Sequence, residues 1–238
     1  MNNRSFFRTI SFALGFILVT SCSASPKNTD ILEYGYNGTV KSVKSITYHN
    51  LDQKNDEWLI DEAKIGNIKT MTFNEEGNII KARNTYPEYP EDIETTFFQF
   101  EDGRKSSFYT LNINNDTIEK GVYKWISDSE YTYSSVSISG RKIKSSSRLN
   151  TNSRDISGGY AFTEGDSTLY SNSYVNTINK NNLITEIHFK NELTHEKNIF
   201  SMTYSDFDLQ GNPLKVEMVD QKTGLLDNLS IREFHYYK

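Results

Sequence analysis

The strongest constraint on this chain is a turn that comes back. Phe73-Asn-Glu-Glu-Gly-Asn78-Ile-Ile-Lys81 aligns without a gap on Phe207-Asp-Leu-Gln-Gly-Asn212-Pro-Leu-Lys215. A looser copy covers residues 178–185, with Asn182 in place of the Gly, and Phe100-Glu-Asp-Gly-Arg104 looks like a shortened one. The Asn or Asp opens such a turn by bonding its own backbone, and Gly or Asn takes the left-handed conformation that closes it. The aromatic before the turn is expected to pack on a sheet. The flanks agree: residues 68–73 alternate and lead through the turn into residues 79–83. Residues 131–138 and 141–144 flank Ser139-Gly140 in the same way. These are hairpins.

Composition points the same way. Only five Ala stand against 15 Tyr and 14 Phe, which disfavours a helical bundle. Residues 60–65 are the segment least unlike a helix. The polar stretch 145–159 is the nearest thing to a linker and reads as a long loop or a seam within one sheet. The expected fold class is all-β, an antiparallel meander of repeated hairpins forming a curled sheet or open barrel, with little helix.

The N-terminus carries a different signal. Arg4 and Arg8 precede an apolar run over residues 10–19, too short for a permanent membrane span. The run ends in Val19-Thr20-Ser21-Cys22. This resembles the lipobox of bacterial lipoproteins, which implies a signal peptide over 1–21 and a lipid anchor on Cys22. Cys22 is the only cysteine, so no internal disulfide or thiolate metal site can form, and acylation removes an otherwise exposed thiol. Residues 22–30 then read as the lipidated Cys and a polar tether, and 31–238 as a single β-rich domain. Loss of residues 1–21 removes two arginines and no acid, leaving 24 basic and 31 acidic residues, net −7 over 217. Such a surface repels phosphate backbones, so nucleic acid is not an expected partner. By the same resemblance, Ser23 lacks the aspartate that retains some lipoproteins at the inner membrane. The expected location is the outer membrane of the cell envelope, on its periplasmic face rather than the cell surface.

The turn units, with Tyr48, Tyr86, Tyr204 and Tyr236 near strand ends, resemble the YD (RHS-like) repeats of many uncharacterised Bacteroidetes lipoproteins. Residues 34–48 and 204–237 carry the resemblance most clearly. It implies a stack of antiparallel hairpins forming a long, curled sheet; it does not imply an activity.

Candidate sites are few. Asp206, Asp208 and Glu217 occupy the first, third and twelfth positions of a calcium-loop pattern, with Gly211 at the sixth. Gln210 breaks that pattern, the flanks read as strands, and a hairpin turn explains Gly211 and Asn212 without a metal. The expectation is no metal and no cofactor. His49, His188, His195 and His235 lack ligand spacing, and no nucleophile elbow, zinc motif or phosphate loop is present. No enzyme is expected. Trp58, Trp125 and Tyr236 are the aromatic candidates for a ligand surface, against the reading that they pair across strands as core. The leading expectation is a non-catalytic envelope lipoprotein that binds or scaffolds, with the membrane and a glycan, lipid or envelope protein as partners. The alternative is a carrier holding a lipid or other apolar ligand inside the sheet. A glycan hydrolase stands third.

Overall fold

The computed structural model describes residues 28–54 and 57–238, so the expected signal segment over 1–21 and the expected lipidation site Cys22 lie outside the described residues. A one-turn helix α1 (Asp30–Tyr34) comes first, followed by β1 (Val40–Tyr48). A separate small hairpin, β2 (Gln53–Lys54) and β3 (Glu57–Trp58), is inserted before β4 (Ile65–Phe73). The wall continues with β5 (Ile79–Tyr86), β6 (Tyr89–Glu101), β7 (Arg104–Leu111), β8 (Thr117–Ser127), β9 (Glu130–Ser137) and β10 (Lys142–Leu149). It ends with β11 (Asp155–Glu164), β12 (Ser167–Ile178), β13 (Ile184–Asn191), β14 (Lys197–Phe207), β15 (Pro213–Asp220) and β16 (Leu226–Tyr236).

Each wall strand pairs antiparallel with the next, and β1 pairs with both β16 and β4, which closes a barrel of fourteen strands. The all-β meander is as the sequence reads, and its curl runs to full closure. Three local expectations change. Residues 60–65 make only a 3-10 turn, Glu62–Lys64, before β4 begins. The stretch 145–159 is neither loop nor seam but the end of β10, a tight turn and the start of β11. The tether stops short of Asp30, which sits in α1 and is 3% exposed.

The recurring turn has one hydrogen-bond pattern, found six times among the described residues, at 74–78, 112–116, 137–141, 150–154, 179–183 and 208–212. The first residue's N–H donates to the fifth carbonyl, and the fourth N–H donates back to the first carbonyl. The first side chain then accepts from the fifth N–H. The fourth residue is left-handed each time: Gly77, Asn115, Gly140, Ser153, Asn182 and Gly211. Two of the six escaped the sequence because Asn115 and Ser153 replace Gly. The aromatic before the turn behaves differently in the two best copies. Phe73 is fully buried, whereas Phe207 is 50% exposed. Phe73 follows buried Met71 by two residues on a regular strand, whereas left-handed Asp206 (φ 53°) interrupts the strand just before Phe207.

The registers separate the two faces of the wall. Val43, Met71 and Ala82 lie side by side on β1, β4 and β5 and are buried. Their neighbours Lys44, Thr70 and Arg83 form the adjoining outward row. Around the barrel the outward row continues with exposed Lys120, Lys124, Lys142, Lys144, Arg148, Glu233 and His235. Apolar Ile46, Ile68 and Ile231, the stacked pair Phe97 and Tyr109, and exposed Val122, Val136 and Val175 share that outward face, while inward positions carry many Tyr and Phe with a few charged groups among them. Fourteen strands enclose more space than side chains can fill unaided. One end is filled by α1 and the residue after next, Tyr36. Ile31, Tyr36, Val40, Val43, Met71, Phe73, Ile79 and Ala82 make the core there. Tyr34 and Tyr36 stack at 5.7 Å and meet Phe73 edge-on. Burying a side chain such as Phe73 completely is worth about 1.5–3 kcal/mol.

Candidate binding site in the barrel lumen

Helix α1 enters the barrel because its polar groups are satisfied inside it. Asp30 accepts a hydrogen bond from the Ile79 N–H and faces Lys105 Nζ at 2.7 Å, with Glu33 3.4 Å from the same nitrogen. Burial alone would lower the Lys105 pKa, but Glu33 and Asp30 outweigh it and hold the ammonium well above its ordinary value. Burial pushes the Asp30 carboxyl up, and Lys105 opposes that. Glu33 also accepts from the Tyr131 hydroxyl, and the Glu33 carbonyl accepts from Arg154. Gly35 is left-handed, and a Cβ there would lie 2.9 Å from the Arg154 guanidinium carbon. Glycine is therefore required where the chain leaves α1 beneath Arg154.

Beyond this plug the lumen holds a cavity of about 430 Å³. Its floor is Glu33, Tyr34, Gly35 and Tyr36, and its walls carry Tyr131, Tyr133, Tyr160, Tyr174, Tyr204, Ile184, Met202, Arg154, Asp155 and Arg232. A second space of about 330 Å³ lies on the other side of Tyr131 and Tyr133, lined by Phe98, Phe108, Tyr123 and Glu119. The aromatics are ordered by cross-strand pairing: Tyr123 on Tyr133, Trp125 on Tyr131, and Phe189 between Tyr174 and Phe200. Burial raises the phenol pKa of Tyr123, Tyr131, Tyr174 and Tyr204, so at neutral pH the wall presents hydroxyls, not phenolates. Asp155 is also pushed up by burial, against hydrogen bonds from Tyr174 and Ser147 that favour its charged form. Inward Glu94 is raised by burial and then by Glu119, which accepts from Ser135.

A larger, shallow groove of about 720 Å³ crosses the outer wall from β8 to β12, over Ser146, Gly159, Ala161, Ser171 and Ser173. It is wide open to solvent and has no buried charged group on its floor, so the lumen is the better candidate.

The residues singled out in the sequence are not brought together. Trp58 is on the small hairpin apart from the wall. Trp125 is inward beside the plug, donating to the Lys105 carbonyl, with the Arg104 guanidinium over its ring. Tyr236 is spent on a turn: its hydroxyl bonds Asp208 and accepts from Asn212, and burial followed by Asp208 pushes its pKa up to about 12. Of the calcium pattern, Asp208 caps its turn through the Gln210 and Asn212 N–H groups. Glu217 lies opposite Thr203 on the outward face, paired with Lys215 at 2.9 Å. No group of three acids, histidines or cysteines that could hold a metal is present among the described residues. Arg154, Asp155, Tyr174 and Arg232 were not legible as site residues, because strands far apart in sequence bring them together.

No protein-family model and no curated protein matches this chain. Solved structures similar to it include two porin-like proteins. A porin-like protein from Bacteroides vulgatus ATCC 8482 is 13% identical, with a TM-score of 0.48 over 83% of this chain and 98% of that one. A porin-like protein from Bacteroides uniformis ATCC 8492 is 8% identical, with a TM-score of 0.40 over 84% and 99%.

Proposed function

We propose that this chain is a non-catalytic binding barrel of the cell envelope, whose lumen holds a small ligand and whose N-terminus ties it to the outer membrane through lipidated Cys22. The observation that carries the reading is the charge on the outer wall: lysines and arginines recur there among outward apolar residues such as Val122, Val136 and Val175, while tyrosine, phenylalanine and open space lie inside. A membrane-embedded barrel needs an apolar outer band about 25 Å tall, and a cation at mid-depth costs about 2–4 kcal/mol there. Lys44, Arg83, Lys124 and Lys144 stand on the outward faces of β1, β5, β8 and β10. The barrel therefore sits in water beside the membrane. Between the sequence's two leading readings, the 430 Å³ lumen cavity favours the carrier over a surface scaffold.

Native mass spectrometry of the gently purified full chain tests this. A discrete bound mass supports the reading and names the ligand class. An empty protein that no added amphiphile stabilises against heat overturns it. The hydrolase reading has one supporting arrangement, the inward Glu94 and Glu119. Glycan cleavage that is abolished by Glu119→Gln would replace the binding reading with an enzymatic one.

A further inference from the structure

The lumen holds cations with no carboxylate in direct ion-pair contact among the described residues. Arg154 is 8% exposed, its Nε has no hydrogen-bond partner, and its one side-chain bond runs from Nη1 to the Glu33 carbonyl. Arg232 lines the same cavity and rests over the Tyr36 ring at 5.9 Å. No carboxylate lies within salt-bridge reach of either guanidinium among the described residues. The acids nearby are engaged elsewhere: Glu33 with Lys105 and Tyr131, Asp155 with Ser147 and Tyr174. One strand from Arg232, across Ser45, inward Lys69 lies over Tyr34 at 5.9 Å and likewise has no acid partner.

Removing a guanidinium from water is costly unless an anion and hydrogen bonds replace the lost hydration. A ring face beneath a cation returns only about 0.5–2 kcal/mol and satisfies none of its N–H donors. Each guanidinium carries five donors in a planar fork that matches a carboxylate or phosphate. Tyr204, Tyr174 and Tyr160, with Met202 and Ile184, supply a wall for rings or methylenes beside those donors. Resting on the lumen-binding reading, we propose that the cavity takes an amphipathic organic anion, its carboxylate or phosphate between Arg154 and Arg232 and its apolar body against the tyrosine wall.

The test is displacement of 1-anilinonaphthalene-8-sulfonate from the purified full chain by decanoate, decyl phosphate or decanol, which share one chain length. Charge-assisted hydrogen bonds predict that the better anion binds about ten- to a hundredfold more tightly than decanol. The order of decanoate and decyl phosphate tells a carboxylate source from a phosphate source. Arg232→Met and Arg154→Met should each erase most of the preference while decanol binding stays. Arg154→Met also removes a bond to the plug, so Arg232→Met, with an unchanged melting curve, is the decisive variant. Decanol matching both anions, or a preference that survives Arg232→Met, overturns the anion assignment and leaves lumen binding intact. Failure of the dye and all three competitors to bind overturns the lumen-binding reading with it.

Discussion

Lys105→Met is the perturbation that best tests how the plug is held. Lys105 is 10% exposed and Asp30 3%, and the ammonium lies over the rings of Tyr123 and Tyr131 at 5.3 and 5.2 Å. Methionine keeps most of the volume but leaves Asp30 and Glu33 facing each other without a cation. Breaking a buried ion pair from one side costs about 3–5 kcal/mol, more than a surface pair ever returns. The cost should depend on pH with a definite sign. In the native chain Lys105 is raised above its unfolded value, so its contribution is complete at any pH below that value and is lost only as alkali deprotonates the folded state. In the variant Asp30, already raised by burial, loses the cation that opposed the rise. Its folded pKa then lies further above the unfolded value of about 3.9, so the variant regains stability as pH falls. Urea unfolding followed by Trp125 fluorescence should show the full loss at about pH 7.5 and a smaller one at about pH 5. Adding Asp30→Asn and Glu33→Gln should restore most of the loss at neutral pH. A loss under about 1 kcal/mol, or one that grows in acid, would refute the ion-pair account of the plug.

Other expectations follow from single contacts. Asp208→Ala removes two backbone N–H bonds and the Tyr236 bond, and should cost about 1–3 kcal/mol by chemical denaturation. Glu217→Ala should stay within about 0.5 kcal/mol, and millimolar calcium should leave Tm unmoved in both variants, because turn geometry and not a metal uses Asp208. Gly35→Ala should cost about 1–3 kcal/mol from its left-handed backbone and the 2.9 Å approach of Arg154, read as a lowered Tm. Tyr236 titrates at about 12 in the fold, so its contribution is complete below its unfolded value of about 10 and declines as pH rises through 12. Tyr236→Phe should flatten the alkaline limb of the stability curve. Cys22→Ala should move the protein from the membrane to the soluble fraction with an unchanged β-sheet spectrum, and retention at the membrane would refute the proposed anchor.

Strand and turn chemistry were legible because they are local. Residues 74–78 and 208–212 show their geometry in the spacing of Asn or Asp, Gly and Asn, since the side chain bonds a backbone four residues on. The turns at 112–116 and 150–154 obey the same geometry but were hidden, because Asn115 and Ser153 accept the left-handed conformation without the Gly that advertises it. Asp30 read as the end of a solvated tether for a similar reason: nothing next to it in sequence announces Lys105, 75 positions away.

By itself, then, the sequence determined the strand class and the antiparallel connectivity, which depend on periods of two and on turn motifs of a few residues. The tertiary structure alone decided three things: that the curl closes, that the N-terminal turn goes inside it, and that two arginines share a cavity. Closure is a pairing of β1 with β16, whose partners Val43 and Phe234 are separated by nearly the whole chain. Alternation tells which residues share a face but not which face is enclosed, and until the ring closes neither face is an inside.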